Sequence, residues 1–244
     1  MGSQIGSTEV RQQTQQLARA ELLWLLRDLL TPESAQSTAR LTAFCEADSE
    51  VVEVAGLAST DFPTPLAAQL LYVVRQMLAV PTEERTAELL TWADAATGLD
   101  LCECAYIRRD RGAILGDIAG FYCAFGLQSV GDDLRPDQLT RELEFLGLLH
   151  VLHARALGEQ ATEGAEVTAQ AAADFWQDHL GAWCALPAGR AEILPVPVWL
   201  HQALAVIAAV CAALAAASGW QPPAAVDGGA VDAEEPLALA CGLA

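Results

Sequence analysis

Apolar residues recur along this chain at three- and four-residue spacing, the period of a helix buried on one face. The first such stretch runs from Glu9 to Leu30, where Leu17, Leu22, Leu25, Leu26 and Leu29 share a face. Thr31-Pro32 ends it, and Pro32 suits the first position of a following helix. Short helices are predicted at 33–46 and 48–58, with a break from Asp61 to Pro65. Leu66, Leu70, Val73, Val74 and Met77 predict a helix over 65–79, closed by Pro81. Thr82 is placed to cap a helix over 83–96, and Gly98 lies beyond its end. Residues 99–111 give no clear pattern.

The second half reads the same way. Asp110 caps a helix over 112–125, with Ile114, Ile118, Phe121 and Phe125 as its apolar stripe and Gly126 as its stop. Gly116 and Gly120 fall on one face of it. Each weakens the helix by about 1 kcal/mol relative to Ala, which makes sense where another helix approaches closely. Pro136 suits the first position of the next helix, with Asp137 in the first turn, where the helix dipole favours an anion. That helix runs to about Ala156, and Gly158 to Gly164 is a polar linker. Further helices are predicted over 165–186, ended by Pro187, and over 196–218, ended by Gly219. Residues 1–9 lack the pattern and read as a disordered N-terminus. Residues 220–244 are turn-rich and read as a mobile tail. Between them, 10–219 form one all-α domain, because few windows show strand-like alternation.

Composition sharpens this. The hydrophobic share is 53% with aromatics at only 6%, so it is mostly Ala and Leu, which favour helix. The 244 residues suffice for a sizeable core. The formal charge is -19, and all 13 basic residues are Arg. Such a field repels nucleic acid and attracts basic partners; it equally serves solubility or a salt-adapted host. Seven Cys, an odd number, contain no CxxC pair, only Cys102 and Cys104 in CxC. That fits reduced, mostly buried thiols of a cytoplasmic protein rather than a disulfide framework or a zinc site. The N-terminus has no apolar core and is no signal peptide. The run from Ala203 to Ala217 would span roughly 22 Å as a helix, short of a bilayer's ~30 Å core, and reads as buried, with no membrane insertion.

Candidate chemistry is sparse. On the helix over 136–156, Glu142 falls among Leu139, Phe145, Leu146 and Leu149. A carboxylate there needs a partner: an Arg or backbone N–H of its own fold, or a cationic or amide group of another molecule entering a groove. Glu144 lies on the polar side with Arg141 and Asp137. His150 and His153 are three apart on one face, either a pair of surface histidines or two ligands of a metal lacking an obvious third. Phe175, His179, Trp183 and Leu186 recur at helical spacing, so His179 is a hydrogen-bonded core residue or a site residue. Tyr122, like the six Trp, reads as core before site. No phosphate loop, nucleophile elbow or HExxH is present, and no catalytic constellation, metal or cofactor motif is visible.

Two blocks carry a resemblance: RPDQLTRELEFL and FWQDHLGAW. They resemble the signature blocks of the redox-enzyme maturation chaperones, the TorD/DmsD/NarJ family. The first is similar to the family's "PDH-(I/L)-x-x-x-L-x-(F/M)" through Pro136, Asp137, Leu139, Leu143, Glu144 and Phe145. Gln138 stands where the family commonly has His; it hydrogen-bonds but cannot titrate. The second is similar to "F-x-x-x-H-(L/I)-x-x-W" through Phe175, His179, Leu180 and Trp183. GFYCAFGL, from Gly120 to Leu127, looks like the family's aromatic helix. The wording is closest to the NarJ-like branch that serves type II molybdoenzymes.

The resemblance implies an all-helical bundle without enzymatic activity or a cofactor of its own. It implies a cytoplasmic chaperone that binds the N-terminal region of a molybdoenzyme catalytic subunit, often a twin-arginine signal peptide, and delays export until the cofactors are in place. The client-contact candidates are then Asp137, Gln138, Glu142, Glu144, Tyr122, Phe125, His179 and Trp183. A metal-dependent enzyme using His150 and His153, and a subunit retained permanently by an oxidoreductase, are the competing expectations.

Overall fold

The computed structural model describes residues 2–47, 50–57, 65–93, 97–127 and 135–221. These are helical almost throughout, with no strand among them; one isolated antiparallel bridge joins Cys102 to Gln138. The all-α expectation holds.

Helix α1 (Gly2–Leu29) begins seven residues ahead of the apolar pattern. It lies along α7 (Leu139–Gly158), and theirs is the most extensive helix–helix contact in the fold. The reason is in the side chains. Leu22, Leu25, Leu26 and Leu29 of α1 and Leu139, Leu143, Leu146 and Leu149 of α7 are all buried in one core. Leu17, predicted on the same face, is 46% exposed. The two helices come very close at Gly147, where a Cβ would meet Trp24 Nε1 at 2.6 Å. Trp24 donates to the Glu144 carbonyl beside it at 3.3 Å.

Helices α2 (Ala35–Glu46) and α3 (Glu50–Val54) pack on α1, α4 (Leu66–Leu78) packs on α2 and α3, and α5 (Thr82–Trp92) follows. Pro32 lies in a turn, and α2 starts instead behind Ser34, whose hydroxyl accepts from the Ser37 N–H. Thr82 is the first residue of α5 rather than its cap. The predicted ends of α3 and α5, beyond 57 and 93, lie outside the described residues.

Helix α6 (Arg111–Ala124) is capped by Asp110 and stopped by Gly126 at φ +75°, as predicted. Its glycines do not serve a close approach: nothing lies within 4 Å of a Cβ built on Gly116 or Gly120. The helix docks instead through its aromatic side. Phe121 packs edge-on against Phe145 of α7 and against Phe175 of α8 (Thr162–Phe175).

The predicted helix over 165–186 is interrupted. After α8, residues Trp176–Leu180 form one wide π-turn with i→i+5 bonding, and α9 (Gly181–Trp183) follows. Pro187 ends no helix; it sits in the first turn of α10 (Leu186–Ile193), where a missing N–H is tolerated. Helix α11 (Val198–Ser218) packs on α4, α10 and α1 and closes at Gly219, φ +67°. At 21 residues it is longer than the Ala-rich run suggested, and by length and composition it could cross a membrane. Half of its most apolar stretch is buried within the bundle. Arg19, itself 6% exposed, reaches its C-terminal end and donates to the Ala217 carbonyl and Ser218 hydroxyl, and also to the Ala55 carbonyl that follows α3.

Candidate functional site

The two sequence blocks meet in space. Residues 101–103 run beside 137–139, with the Glu103 N–H donating to the Asp137 carbonyl at 2.8 Å and the Leu139 N–H to the Leu101 carbonyl at 2.9 Å. This pairing delays the start of α7. Pro136 and Asp137 lie in a turn ahead of the helix and Gln138 is its N-cap residue, correcting the expectation that Pro136 opens it.

Asp137 is fully buried. Arg135 grips its carboxylate with two bonds, of 3.0 and 2.7 Å, and the Cys104 N–H adds a third at 3.2 Å. Burial pushes the carboxyl up, but these bonds more than offset it and hold Asp137 below the usual range. Its role here is to staple the 103–105 turn to the start of α7.

Beneath it lie two buried polar pairs. Glu142 is completely buried and accepts from the Trp183 indole N–H at 2.9 Å. His179 Nδ1 sits 2.9 Å from Glu103 Oε2, both residues 1% exposed. Burial, reinforced by the charge of Glu103, raises the Glu142 carboxyl well above its ordinary value. Its second oxygen has no hydrogen-bond partner. Tyr106 stacks on Trp183 with ring centroids 5.7 Å apart. Glu142, His179 and Trp183 are therefore internal. The partner of Glu142 is the Trp183 indole, neither the Arg nor the backbone N–H expected from the sequence. Glu103, which sequence reasoning missed, completes the network; it lies in the stretch without periodicity, and only the chain pairing brings it there.

The π-turn explains how one block supplies this network. On an α-helix, a strict four-residue spacing drifts by about 40° per step. The wider turn removes that drift, so Phe175, His179 and Trp183 all point inward at 0–1% exposure. Leu186, past the end of α9, leaves the stripe and is 41% exposed. The turn closes tightly at Gly181, where a Cβ would meet the Trp176 carbonyl at 2.5 Å.

Above the network is an open groove of about 740 Å³. Its walls come from the end of α1, the start of α2, α5, residues 100–102 and the start of α7. Gln138 and Glu144 line it; Asp137 and Glu142 do not. Leu30, Leu89, Leu90, Leu101 and Leu139 give it apolar ground, and Leu90 is 75% exposed. The charged rim is mixed: Arg27, Arg135 and Arg141 face Glu33, Asp100 and Glu144. Glu144 is held on both oxygens, by Arg27 at 3.0 Å and Arg141 at 3.1 Å. Tyr122 and Phe125 lie apart from this groove, partly buried in the aromatic cluster. Tyr122 donates to the Pro136 carbonyl at 2.9 Å, and Phe125 packs on Phe145 at 5.9 Å.

His150 and His153 are not a pair of surface ligands. His150 is 3% exposed, bonded to Gln16 Oε1 at 2.6 Å and stacked on Trp220. Burial, with the nearby Arg19 charge, pushes it down to about 3. Among the described residues no three His, Cys, Asp or Glu side chains are grouped to hold a metal. Burial lifts the Cys102 thiol and takes Cys104 up to about 12.

Both blocks fall within one recognised unit. Residues 100–187 match the family described as nitrate reductase delta subunit. The match spans just over a third of the chain. It begins at the strand-like segment bearing Glu103 and ends after Trp183, enclosing the whole buried network. Members of that family are chaperones of nitrate reductase-type molybdoenzymes, not enzymes. A comparison with curated proteins returns no match.

Proposed function

We propose that this chain is an assembly chaperone for the catalytic subunit of a molybdenum oxidoreductase. The observation that carries the reading is the joint placement of the two family blocks in one buried network within the matched region. Nothing there is arranged for turnover: Glu103, Glu142 and His179 are sealed from solvent, with His179 held on Glu103 and Glu142 on the Trp183 indole. The groove above it, by contrast, is open to solvent.

The finer reading is that this groove takes the N-terminal segment of the client, including a twin-arginine signal peptide where one is present, in the cytoplasm before export. Such a segment has guanidinium groups followed by an apolar stretch. The groove offers carboxylates at its rim and leucines along its floor, which complements both parts. Gln138 and Glu144 are the contacts carried forward from the sequence; Asp137, Glu142, His179 and Trp183 act from beneath as the support. Calorimetric titration of the purified chain with the N-terminal segment of a molybdoenzyme catalytic subunit tests this. Saturable binding supports it, and its absence under low salt overturns it. Recovery of the chain in stoichiometric amount from the mature oxidoreductase would favour a retained subunit instead.

A further inference from the structure

We propose that the Arg27–Glu144–Arg141 cluster is a self-occupied client site, in which the protein's own Arg141 stands where an arginine of a client segment binds. This rests on the reading above, that the groove takes an arginine-bearing segment. Glu144 lies on the first turns of α7 and lines the groove. Arg27 Nη1 donates to its Oε1 at 3.0 Å and Arg141 Nη1 to its Oε2 at 3.1 Å. Both oxygens are thus already filled by guanidinium groups.

The two arginines are not equally held. Arg27 has a second anchor: its Nη2 and Nε lie 2.7 and 3.1 Å from Asp28 Oδ1. Its side chain is 20% exposed. Arg141 has Glu144 as its ion-pair partner three residues along the same helix, and its side chain is 39% exposed. A pair so exposed is weak and exchanges readily with solvent. Arg141 can therefore swing into water while an incoming guanidinium takes Oε2. Arg27 stays on Asp28 and keeps Glu144 pointed at the groove. The Trp24 indole, donating to the Glu144 backbone carbonyl, fixes the helix turn from which the carboxylate projects.

The arrangement makes binding a replacement rather than an addition. Glu144 is not left bare when the groove is empty. Only a partner whose guanidinium is followed by enough apolar surface to use Leu89, Leu90 and Leu101 gains from the exchange. Free arginine or a basic peptide without that surface trades one weak pair for another.

The test is calorimetry with a synthetic peptide of two adjacent arginines ahead of a leucine-rich stretch, and with the same peptide carrying glutamines in place of both arginines. The full chain is used as wild type, Arg141→Gln and Glu144→Gln, each checked by thermal melting. Arg141→Gln removes the competitor, so it binds the arginine peptide about two- to fivefold tighter than wild type. Glu144→Gln weakens that peptide about fivefold. Neither change alters binding of the glutamine peptide. If Arg141→Gln weakens the arginine peptide, Arg141 is itself a contact and the exchange is wrong. Equal shifts for both peptides also overturn it. If neither peptide binds wild type or any variant, this inference and the groove reading fall together.

Discussion

The indole N–H of Trp183 donates to Glu142 Oε2 at 2.9 Å, and both residues are completely buried. One of the two sequence blocks supplies each partner, so this single bond ties α7 to the end of α9. Replacing Trp183 by Ala removes the largest fully buried side chain among the described residues and is expected to destabilise the fold by ~3–5 kcal/mol. Trp183→Phe refills most of the volume but leaves the carboxyl oxygen without its donor, for about 1–3 kcal/mol. Chemical denaturation measures both. A Phe variant as stable as wild type would show that the bond contributes nothing.

The raised Glu142 carboxyl gives a pH signature. A group that keeps its proton in the fold contributes stability fully present below its unfolded value, about 4.3. That contribution is lost as the pH rises through the folded value. Glu142→Gln stays neutral at every pH and still accepts from Trp183. Its melting temperature is therefore expected to equal or exceed wild type at pH 8, with the advantage shrinking towards pH 4. A Gln variant that is worse at pH 8 than at pH 4 would mean the carboxylate is ionised in the fold.

His150 works in the opposite sense. Its folded value near 3 lies far below the unfolded one of about 6.5, so its contribution is complete above pH 6.5 and lost as the pH falls towards 3. His150→Gln is expected to flatten the acid side of the stability profile between those limits. Melting curves from pH 7 down to pH 4 measure it, and parallel profiles for the two proteins would refute the assignment.

Gly147 should tolerate no side chain. A Cβ there would lie 2.6 Å from Trp24 Nε1 and 2.9 Å from Cδ1. Gly147→Ala is expected to destabilise the α1–α7 pair by about 1–3 kcal/mol through overpacking. Adding Trp24→Leu should recover part of the loss, and failure of that second change to help would place the strain elsewhere.

Client affinity should fall as salt rises, because the rim charges of the groove are partly exposed and screened, while the leucine contacts persist. Titration at low and high ionic strength reads this directly. A salt-independent affinity would leave the net charge of -19 with a solubility role only.

Much of the helix order is legible from spacing, because each helix buries one face and most stop at a Gly or Pro. The site is legible only in part. Glu142 is marked as a carboxylate in need of a partner, yet its partner lies 41 residues away, beyond any periodic window. Asp137 reads as a helix-start anion because Pro136 mimics an N1 proline. The pairing of 101–103 with 137–139 overrides that local preference. Gly116 and Gly120 read as a contact face, but docking through Phe121 turns them outward. His150 looks like a surface histidine until α1 and Trp220 cover it. In each case a contact between distant segments decides what local composition leaves open.

The wide turn at Trp176–Leu180 makes the second block a ruler. Removing one residue between Phe175 and Gly181 would leave its composition nearly unchanged and restore an ordinary helix. Yet it would rotate His179 away from Glu103, or Trp183 away from Glu142, since no single register then serves both. The block is thus defined by its count of residues more than by their character, and insertions or deletions there are expected to be far less tolerated than conservative substitutions.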